Sequence, residues 1–313
     1  FWCVLGVPFT YGYGSLCAIL RGMGDSKRPM YIIGIAALTN VVLDIVLVYF
    51  FGMRAKGAAI ATAAAQLMSF LFALIYLYRR RESFGFDFRR ESFRVDRRIL
   101  RTVVSLAAPL AFMSIAITIS MMFINAWVNA YGVVASAVSG IGSKLYSVAN
   151  IVTQSMQTAD ATVTGQNIAA HKLDRVKRTM YICAGICLAY WAVIAALCMA
   201  VPKQIFGLFS TDPEVLDMAP SYMAISIVMY LSFATMSPAL GFVNGVGNVR
   251  FNFIISILDG VIARIGLGLL LASVLGMGLY GYWWGSALAG FVSTIGGWAY
   301  FFSGRWKARQ LLA

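Results

Sequence analysis

Two polar side chains interrupt an apolar stretch near the start of the chain. Asn40 and Asp44 lie within residues 30–51, a stretch long enough to span the apolar core of a bilayer as a helix. They are four residues apart, so a helix places both on one face. A carboxylate at membrane depth costs about 2.5–3.5 kcal/mol, and a helix that only packs has no need of it. Asp44 therefore needs a partner: a proton, a metal cation or a basic side chain.

The neighbouring stretch 57–78 adds a third polar group, the hydroxyl of Thr62. Carboxylate, amide and hydroxyl oxygens are hard donors of the kind that Na⁺ prefers. A proton is the alternative occupant, because desolvation disfavours a free carboxylate. The residues do not choose between Na⁺ and H⁺. A third interpretation is structural, with Asn40 and Asp44 hydrogen-bonded to neighbouring helices.

The composition is that of a membrane protein. Hydrophobic residues make up 60% of the chain and charged residues 12%, against about 45–50% and 25% in soluble domains. The net charge of +13 would suit nucleic acid, but the basic residues lie between apolar stretches. We therefore expect the lipid bilayer, and no nucleic acid, as a partner. The five cysteines lie in apolar stretches and there is a single histidine, so no metal cluster or cofactor is expected beyond a coupling ion.

Nine apolar stretches predict an all-α polytopic membrane protein with nine transmembrane helices. They cover about residues 1–20, 30–51, 57–78, 103–130, 135–160, 179–201, 219–243, 252–275 and 279–303. The fifth is the most polar, so we expect it to face a bundle interior or an aqueous cavity.

Basic residues are divided unevenly between the connections. One set of connections, which includes 79–101 and the tail after 303, holds 20 of the 25 Lys and Arg residues, and the other set holds three. The positive-inside rule places the first set in the cytoplasm. We predict a multi-pass protein of the cell membrane whose C-terminus and linker 79–101 are cytoplasmic. The linker separates a first domain, 1–78, from a second, 102–313.

An internal repeat links the two domains. The turn at 22–25 (GMGD) resembles that at 245–248 (GVGN), and 52–57 (GMRAKG) resembles 276–281 (GMGLYG). The offset changes from 223 to 224, so one inserted residue lies between the two turns. Three further stretches precede the matching trio in the second domain. We expect a parallel-repeat, two-lobe parent of six plus six helices, of which the first three are absent here.

At these spacings the motifs LRGMGDSKRP (20–29), NVVLD (40–44) and GAAIAT (57–62) resemble the multidrug and toxic compound extrusion (MATE) transporters. The stretch 165–178 (GQNIAAHKLDRVKR) resembles that family's turn between the second and third helices of a lobe. The resemblance covers the whole chain, as helices four to twelve of twelve. It implies a secondary antiporter that exports cationic amphipathic compounds in exchange for Na⁺ or H⁺, and we expect a monomer.

The same resemblance implies a cation site. Asn40, Asp44 and Thr62 match its ligands by spacing, and a backbone carbonyl that contributes in some members falls at Ala58. The family's further Asp, on helix one, has no counterpart in this chain.

Other polar residues in the apolar stretches are candidates for a substrate cavity. They are Asn125, Asn129, Gln154, Gln157 and Asp259. Asp259 and Arg264 are five residues apart, about 140° around an α-helix, so a direct pair is not expected. Lys144 is the alternative partner of Asp259, and a structural ion pair and a substrate-facing carboxylate both stay open.

Two other functions are weighed against antiport. A flippase for lipid-linked oligosaccharides calls for a strongly cationic cavity, and only Lys144 and Arg264 are basic within the apolar stretches. A membrane-embedded enzyme such as a prenyltransferase needs clustered Asp residues for Mg²⁺ and pyrophosphate, and the sequence has no DxxxD pair in these stretches. We therefore predict a transporter and not an enzyme.

Overall fold

The computed structural model describes residues 2–81, 87 and 96–308, and all regular structure within them is helical. The α-helices are α1 (Trp2–Gly22), α2 (Lys27–Asp44), α3 (Arg54–Arg79), α4 (Arg97–Asn129), α5 (Val133–Ala169), α6 (Leu173–Ala200), α7 (Pro202–Gly207), α8 (Pro213–Gly245), α9 (Val249–Ile257), α10 (Arg264–Leu269) and α11 (Leu279–Phe302). Three π-helical segments extend or interrupt them, at Ile45–Phe50, Leu258–Ala263 and Leu270–Val274, and a short 3₁₀ turn follows at Arg305–Ala308.

Within these ranges there are nine long helices. Helices α9 and α10 form one continuous helix with their π segments, and the short α7 is not counted. Six of the nine are long and apolar enough to cross a membrane. The other three are α1, α5 and α11. Helix α5 is rich in Ser, Thr, Asn and Gln, and α11 in Gly and aromatic residues. The chain is thus an all-helical, multi-pass membrane protein, and the number of crossings stays a prediction.

Helix α5 continues nine residues past its predicted end at 160, to Ala169. The prediction followed the apolar part of the sequence. Residues 161–169 include four polar side chains but no proline to end a helix. The following turn is accordingly short, and α6 begins at Leu173.

The chain divides into two compact units, Phe1–Arg97 and Arg98–Ala313. The boundary falls inside the predicted linker 79–101. That linker begins with the last residue of α3 and ends with the first turn of α4. Its residues 82–86 and 88–95 lie outside the described part of the chain.

In the first unit, α3 packs against both α1 and α2. The side of α3 that is buried repeats every four residues and consists mostly of small side chains: Gly57, Ala61, Ala65, Ser69, Ala73 and Leu77. Small residues at this spacing allow helix backbones to approach closely in membrane proteins.

In the second unit, α8 is the central helix and packs against α5, α6 and α11. Its glycines allow the closest contacts. A Cβ at Gly241 would lie 2.6 Å from the carbonyl oxygen of Gln157, and one at Gly245 would lie 2.7 Å from that of Ala161. Backbone therefore meets backbone along the α5–α8 interface.

The repeat seen in the sequence is present in the backbone. The glycines at matching turns adopt positive φ in both copies, Gly24 with Gly247 and Gly52 with Gly276. The buried stripe of α3 recurs in α11, offset by 224, as Gly281, Gly285, Ala289, Ser293, Gly297 and Phe301. Offset by the same 224, the amide of Met53 donates to the carbonyl of Leu47 at 3.0 Å, and that of Met277 to Leu271 at 3.1 Å.

The two copies differ by one π-helical segment. The segment at Ile45–Phe50 has its counterpart at Leu270–Val274, but Leu258–Ala263 matches a part of α2 that is regular α-helix. A π turn closes hydrogen bonds over five residues and so holds one more residue than an α turn. The single insertion that changes the repeat offset from 223 to 224 is therefore accommodated at Leu258–Ala263.

Candidate functional site

In the first unit, Asn40 and Asp44 continue the buried side of α2. Pro29, Ile32 and Ala36 are buried on this side, and Asn40 and Asp44 follow at the same spacing as half-buried residues. Helix α2 packs mainly against α3, so both polar side chains lie along the seam between these two helices.

Both side chains have a buried atom that lacks a hydrogen-bond partner in the described part of the chain. These atoms are Nδ2 of Asn40 and Oδ1 of Asp44. A buried polar atom without a partner costs free energy, and in native proteins it calls for an explanation such as an ion, a water or a proton. The two residues are one helical turn apart, so a single small species between them can contact both.

Thr62 and Ala58 lie together at the start of α3. The Thr62 hydroxyl donates to the carbonyl oxygen of Ala58 at 2.9 Å, which leaves the lone pairs of the hydroxyl oxygen available to a cation. Thr62 is exposed and Ala58 half-buried within the unit. As ligands of an ion, Asn40, Asp44, Thr62 and Ala58 remain predictions.

In the second unit, Asp259 and Arg264 form a direct ion pair, so the expectation that they would not pair is wrong. Nη2 of Arg264 lies 3.5 Å from Oδ1 of Asp259, and both side chains are at least nine-tenths buried. The reason is the π segment between them: the amide of Arg264 donates to the carbonyl of Asp259, a hydrogen bond over five residues. Because of this bond, the two side chains lie one above the other, one turn apart, and are not separated by about 140° as in a regular α-helix.

Lys144 is not the partner of Asp259. Its ammonium group lies 5.7 Å from the centre of the Phe209 ring, and the residue is exposed. A cation over an aromatic face is a favourable contact that needs no carboxylate. Arg264 already neutralises Asp259, so Lys144, the alternative partner proposed from the sequence, is wrong.

A cavity of about 110 Å³ lies within the second unit beside Arg264 of this ion pair. Arg264 lines the cavity, and its Nη1 donates to the sulfur of Met121 at 3.0 Å. Aromatic rings and hydroxyl groups make up much of the remaining wall, namely Tyr146, Tyr222, Phe233, Trp283, Ser139, Ser143, Ser226 and Ser286. Such a wall combines apolar surface with a few polar groups that orient a ligand.

The predicted substrate residues are spread over different places. Asn125 lines this cavity, whereas Asn129 lies at the end of α4, where its carbonyl accepts from the amide of Gly132. Gln154 is exposed on α5, and the backbone of Gln157 packs against Gly241. For these residues and for Asp259, contact with substrate stays a prediction.

Two features escaped the sequence prediction. Ser286 lines the cavity, and it is the counterpart of Thr62 at the repeat offset of 224, a signal that was present in the sequence. The other is a charged cluster at the first glycine turn. There the carboxylate of Asp25 accepts from Tyr76 at 2.8 Å and from Arg28 at 3.0 Å, and the guanidinium of Arg28 lies 5.3 Å from the centre of the Tyr76 ring.

Burial alone would raise the pKa of Asp25, but the hydrogen bonds from Tyr76 and Arg28 outweigh it and hold the pKa below its ordinary value. Asp25 therefore stays ionised at the foot of α2. There it complements the positive end of the helix dipole.

Two units of packed apolar helices, one with an unsatisfied Asn–Asp pair and one with a lined cavity, define a polytopic membrane protein of the transporter type. The MatE family model matches residues 2–46 and 109–270, more than half of the sequence. The chain belongs to the MATE family, as the sequence motifs predicted.

Similar proteins agree with this assignment. The probable multidrug resistance proteins YoeA and YpnP of Bacillus subtilis (strain 168) are 27% and 26% identical over 312 and 310 residues, which cover 97% and 98% of this chain. A solved outward-facing structure of a multidrug resistance MATE family transporter of the MOP superfamily superposes with a TM-score of 0.83 over 95% of this chain, at 22% identity. The chain spans 67% and 68% of the two Bacillus proteins and 66% of the solved chain.

Proposed function

We propose that this chain is the larger part of a secondary antiporter that exports cationic, amphipathic drugs or toxic compounds in exchange for Na⁺ or H⁺. The relatives named as probable multidrug resistance proteins support the export of drugs, and the cationic, amphipathic character of the substrates is part of the proposal. The observation that carries the coupling mechanism is the buried, unsatisfied Oδ1 of Asp44 one turn from the amide of Asn40. A site whose polar atoms are satisfied only when a cation or proton is bound can couple the ion gradient to the conformation of the protein.

In this mechanism Asp44 supplies the charge, and the other residues supply neutral ligands. A bound cation or proton cancels the charge of Asp44 in the membrane interior, and its departure restores the desolvation cost. The two states therefore differ in electrostatic free energy, which is what a conformational equilibrium responds to. Asn40, Thr62 and the carbonyl of Ala58 set the affinity.

The test is export of a fluorescent amphipathic cation from proteoliposomes under an imposed Na⁺ or H⁺ gradient. Asp44→Asn keeps the size of the side chain and removes its charge, so we expect gradient-driven export to be lost. Asn40→Ala and Thr62→Ala each remove one neutral ligand and should weaken the dependence on ion concentration by about tenfold, equivalent to one hydrogen bond to a charge. Thr39→Ala is the matched control, because the Thr39 hydroxyl makes the same bond as that of Thr62, to the carbonyl four residues earlier, but is not among the predicted ligands.

Export by Asp44→Asn at the wild-type rate would place the coupling site elsewhere. Export that survives an ionophore would argue against antiport altogether.

The orientation belongs to the same proposal. With the basic connections inside, Asp174 at the α5–α6 turn is cytoplasmic and Thr211 before α8 is external. Both residues are exposed. In a cysteine-free background, Asp174→Cys should react with a membrane-impermeant thiol reagent only after the cells are opened, and Thr211→Cys should react in intact cells. The reverse labelling would invert the orientation.

A further inference from the structure

The second unit contains a counterpart of the predicted coupling site, and its residues are different. At the repeat offset of 224, Asn40 corresponds to Arg264, Asp44 to Gly268 and Thr62 to Ser286. Arg264 and Ser286 line the same cavity. The geometry of the first site is thus partly retained, but an arginine stands where the first copy has an amide.

The carboxylate of this second site comes from another position. Gly268 carries no side chain, and α11 packs directly on it: a Cβ at Gly285 would lie 2.4 Å from the amide nitrogen of Gly268. Asp259 takes over as the acid from the turn before, and the π segment brings it within 3.5 Å of Nη2 of Arg264. The inserted residue therefore moves an acid into place. At the original acid position, a Cβ on Gly268 would lie 3.2 Å from Cδ1 of Ile124 and 3.4 Å from Cδ1 of Tyr282, so these side chains border it closely.

Among the described residues, Arg264 is the charged residue in the wall of this cavity, with Asp259 as its ion-pair partner, and the phenol of Tyr146 lies on the same wall. Within the described residues, Oδ1 of Asp259 and Nε of Arg264 lack hydrogen-bond partners, and the contact of Oδ1 with Nη2 of Arg264 is an ion pair at 3.5 Å. A carboxylate paired in this way has no need of an external cation.

We propose that in the second unit the guanidinium group of Arg264 takes the place that the exchanged cation holds in the first. The second site is then a cation site that the chain's own guanidinium group fills permanently, which we call a tethered cation. Ion coupling is confined to the Asn40–Asp44 site. This inference rests on the proposed function for its meaning in transport, but the identity of the occupant is testable by binding alone. Removal of Arg264 should convert Asp259 into a site for Na⁺ or for a proton.

The experiment measures thermal unfolding of the purified chain in detergent, in the Asp44→Asn background, which silences the first site. Tm is compared in NaCl and in choline chloride at equal ionic strength, and between pH 8 and pH 6. Asp44→Asn alone should show no dependence on Na⁺, and its pH dependence, to which other groups such as the buried carboxylate of Asp160 contribute, is the baseline. Asp44→Asn with Arg264→Gln should gain about 3–6 °C at a cation concentration about ten times Kd.

Two variants serve as controls. Asp44→Asn with Arg264→Lys keeps a tethered cation, so its Tm should not respond to Na⁺ and should follow the baseline pH dependence. Addition of Asp259→Asn to the Arg264→Gln variant removes the acid and should abolish the gain. A Tm of the Arg264→Gln variant that does not respond to Na⁺ and shows only the baseline pH dependence would overturn the inference.

A second measurement covers the case in which loss of Arg264 prevents folding. Millimolar methylguanidinium should raise the Tm, or the folded yield, of Arg264→Ala, and should have no such effect once Asp259→Asn is added. Absence of this rescue would also overturn the inference. Failure of the proposed function looks different, since it appears as a wild-type ion response that persists in Asp44→Asn with Arg264 intact.

Discussion

The two copies of the three-helix repeat keep the same turns and the same buried stripe, but they differ at their polar position. In the first copy, Asp44 and Asn40 each have a buried atom for which the described residues provide no hydrogen-bond partner. In the second, Arg264 is within 3.5 Å of Asp259, and the π segment Leu258–Ala263 holds the pair together. One inserted residue thus changes the electrostatics of a site and leaves the helix packing around it intact.

The strongest test of this comparison is a one-residue deletion in each copy. Removal of Val261 from the π segment leaves a regular α turn, in which the remaining helix keeps its register. Removal of Leu38, its counterpart in α2, rotates all later residues of that helix by about 100° and turns Asn40 and Asp44 away from α3. We expect the chain without Val261 to elute as a folded, monodisperse species and the chain without Leu38 to be lost to aggregation.

Size-exclusion chromatography in detergent, followed by thermal unfolding, measures the difference. Leu38 is exposed, so the loss of its side chain contributes little by itself; substitution of Leu38 by Ala checks this and should be recovered like wild type. Equal loss of the two deletion variants would mean that the π segment is not the site of the insertion.

The sequence predicted the helical class, the turns and the repeat, because these depend on apolar length, glycine and spacing. It also predicted that one residue had been inserted, from the change of offset between Gly24 and Gly52. It did not reveal where the insertion lies, because an α-helix and a π segment have the same apolar composition. The end of α5 was missed for a related reason: apolar composition marks the part that suits lipid and not the hydrogen-bonded end of the helix.

The site was predicted unevenly. Asn40 and Asp44 are conspicuous because acid and amide groups are costly in an apolar stretch. Ser286 was missed because serine is common in membrane helices and costs little free energy in an apolar stretch. Without the repeat, a serine alone does not indicate a site. The Asp259–Arg264 pair was missed because angular arguments assume a regular helix, and the structure departs from one between these two residues.

A smaller loss of stability is expected when a substitution disturbs the contact between α11 and α10. A Cβ at Gly285 would lie 2.5 Å from Cα of Gly268, so Gly285→Ala must push the helices apart. We expect a loss of about 1–3 kcal/mol in the free energy of unfolding. The counterpart in the first copy is Ala61, which is accommodated there as a buried residue.

The matched control is Gly266→Ala. Gly266 lies on the exposed side of α10, and a Cβ there would meet nothing within 4 Å. It should gain about 0.5–1 kcal/mol, because alanine is the better helix former. Denaturant or thermal unfolding measures both variants, and a neutral Gly285→Ala would show that α11 has room to move.

The smallest effect, and the sharpest contrast between the copies, is the pH dependence at the two glycine turns. At the first turn Asp25 is ionised, only a tenth of its side chain is exposed, and Tyr76 and Arg28 donate to it. At the second turn the corresponding residues are Asn248, Phe251 and Tyr300; the Asn248 side chain accepts from the amide of Phe251, and the two rings lie 4.9 Å apart between centroids. A charged cluster thus corresponds to a neutral, aromatic one, in which an amide takes the place of the carboxylate.

The sign of the pH effect follows from the direction of the pKa shift. Against the opposing effect of burial, the hydrogen bonds from Tyr76 and Arg28 hold the pKa of Asp25 below its ordinary value. The unfolded chain therefore binds a proton at this residue before the folded chain does, as the pH falls. The stabilisation by Asp25 is fully present above the unfolded pKa of about 3.9 and is lost as the pH falls through the lower, folded value.

We expect Asp25→Asn to lower Tm at pH 7, and the Tm curves of variant and wild type to converge in acid below about pH 4. Asn248→Ala should shift Tm by the same amount at every pH, because an amide has no proton to gain. A difference between wild type and Asp25→Asn that stays constant down to pH 2 would show that Asp25 acts through its shape and hydrogen bonds and not through its charge.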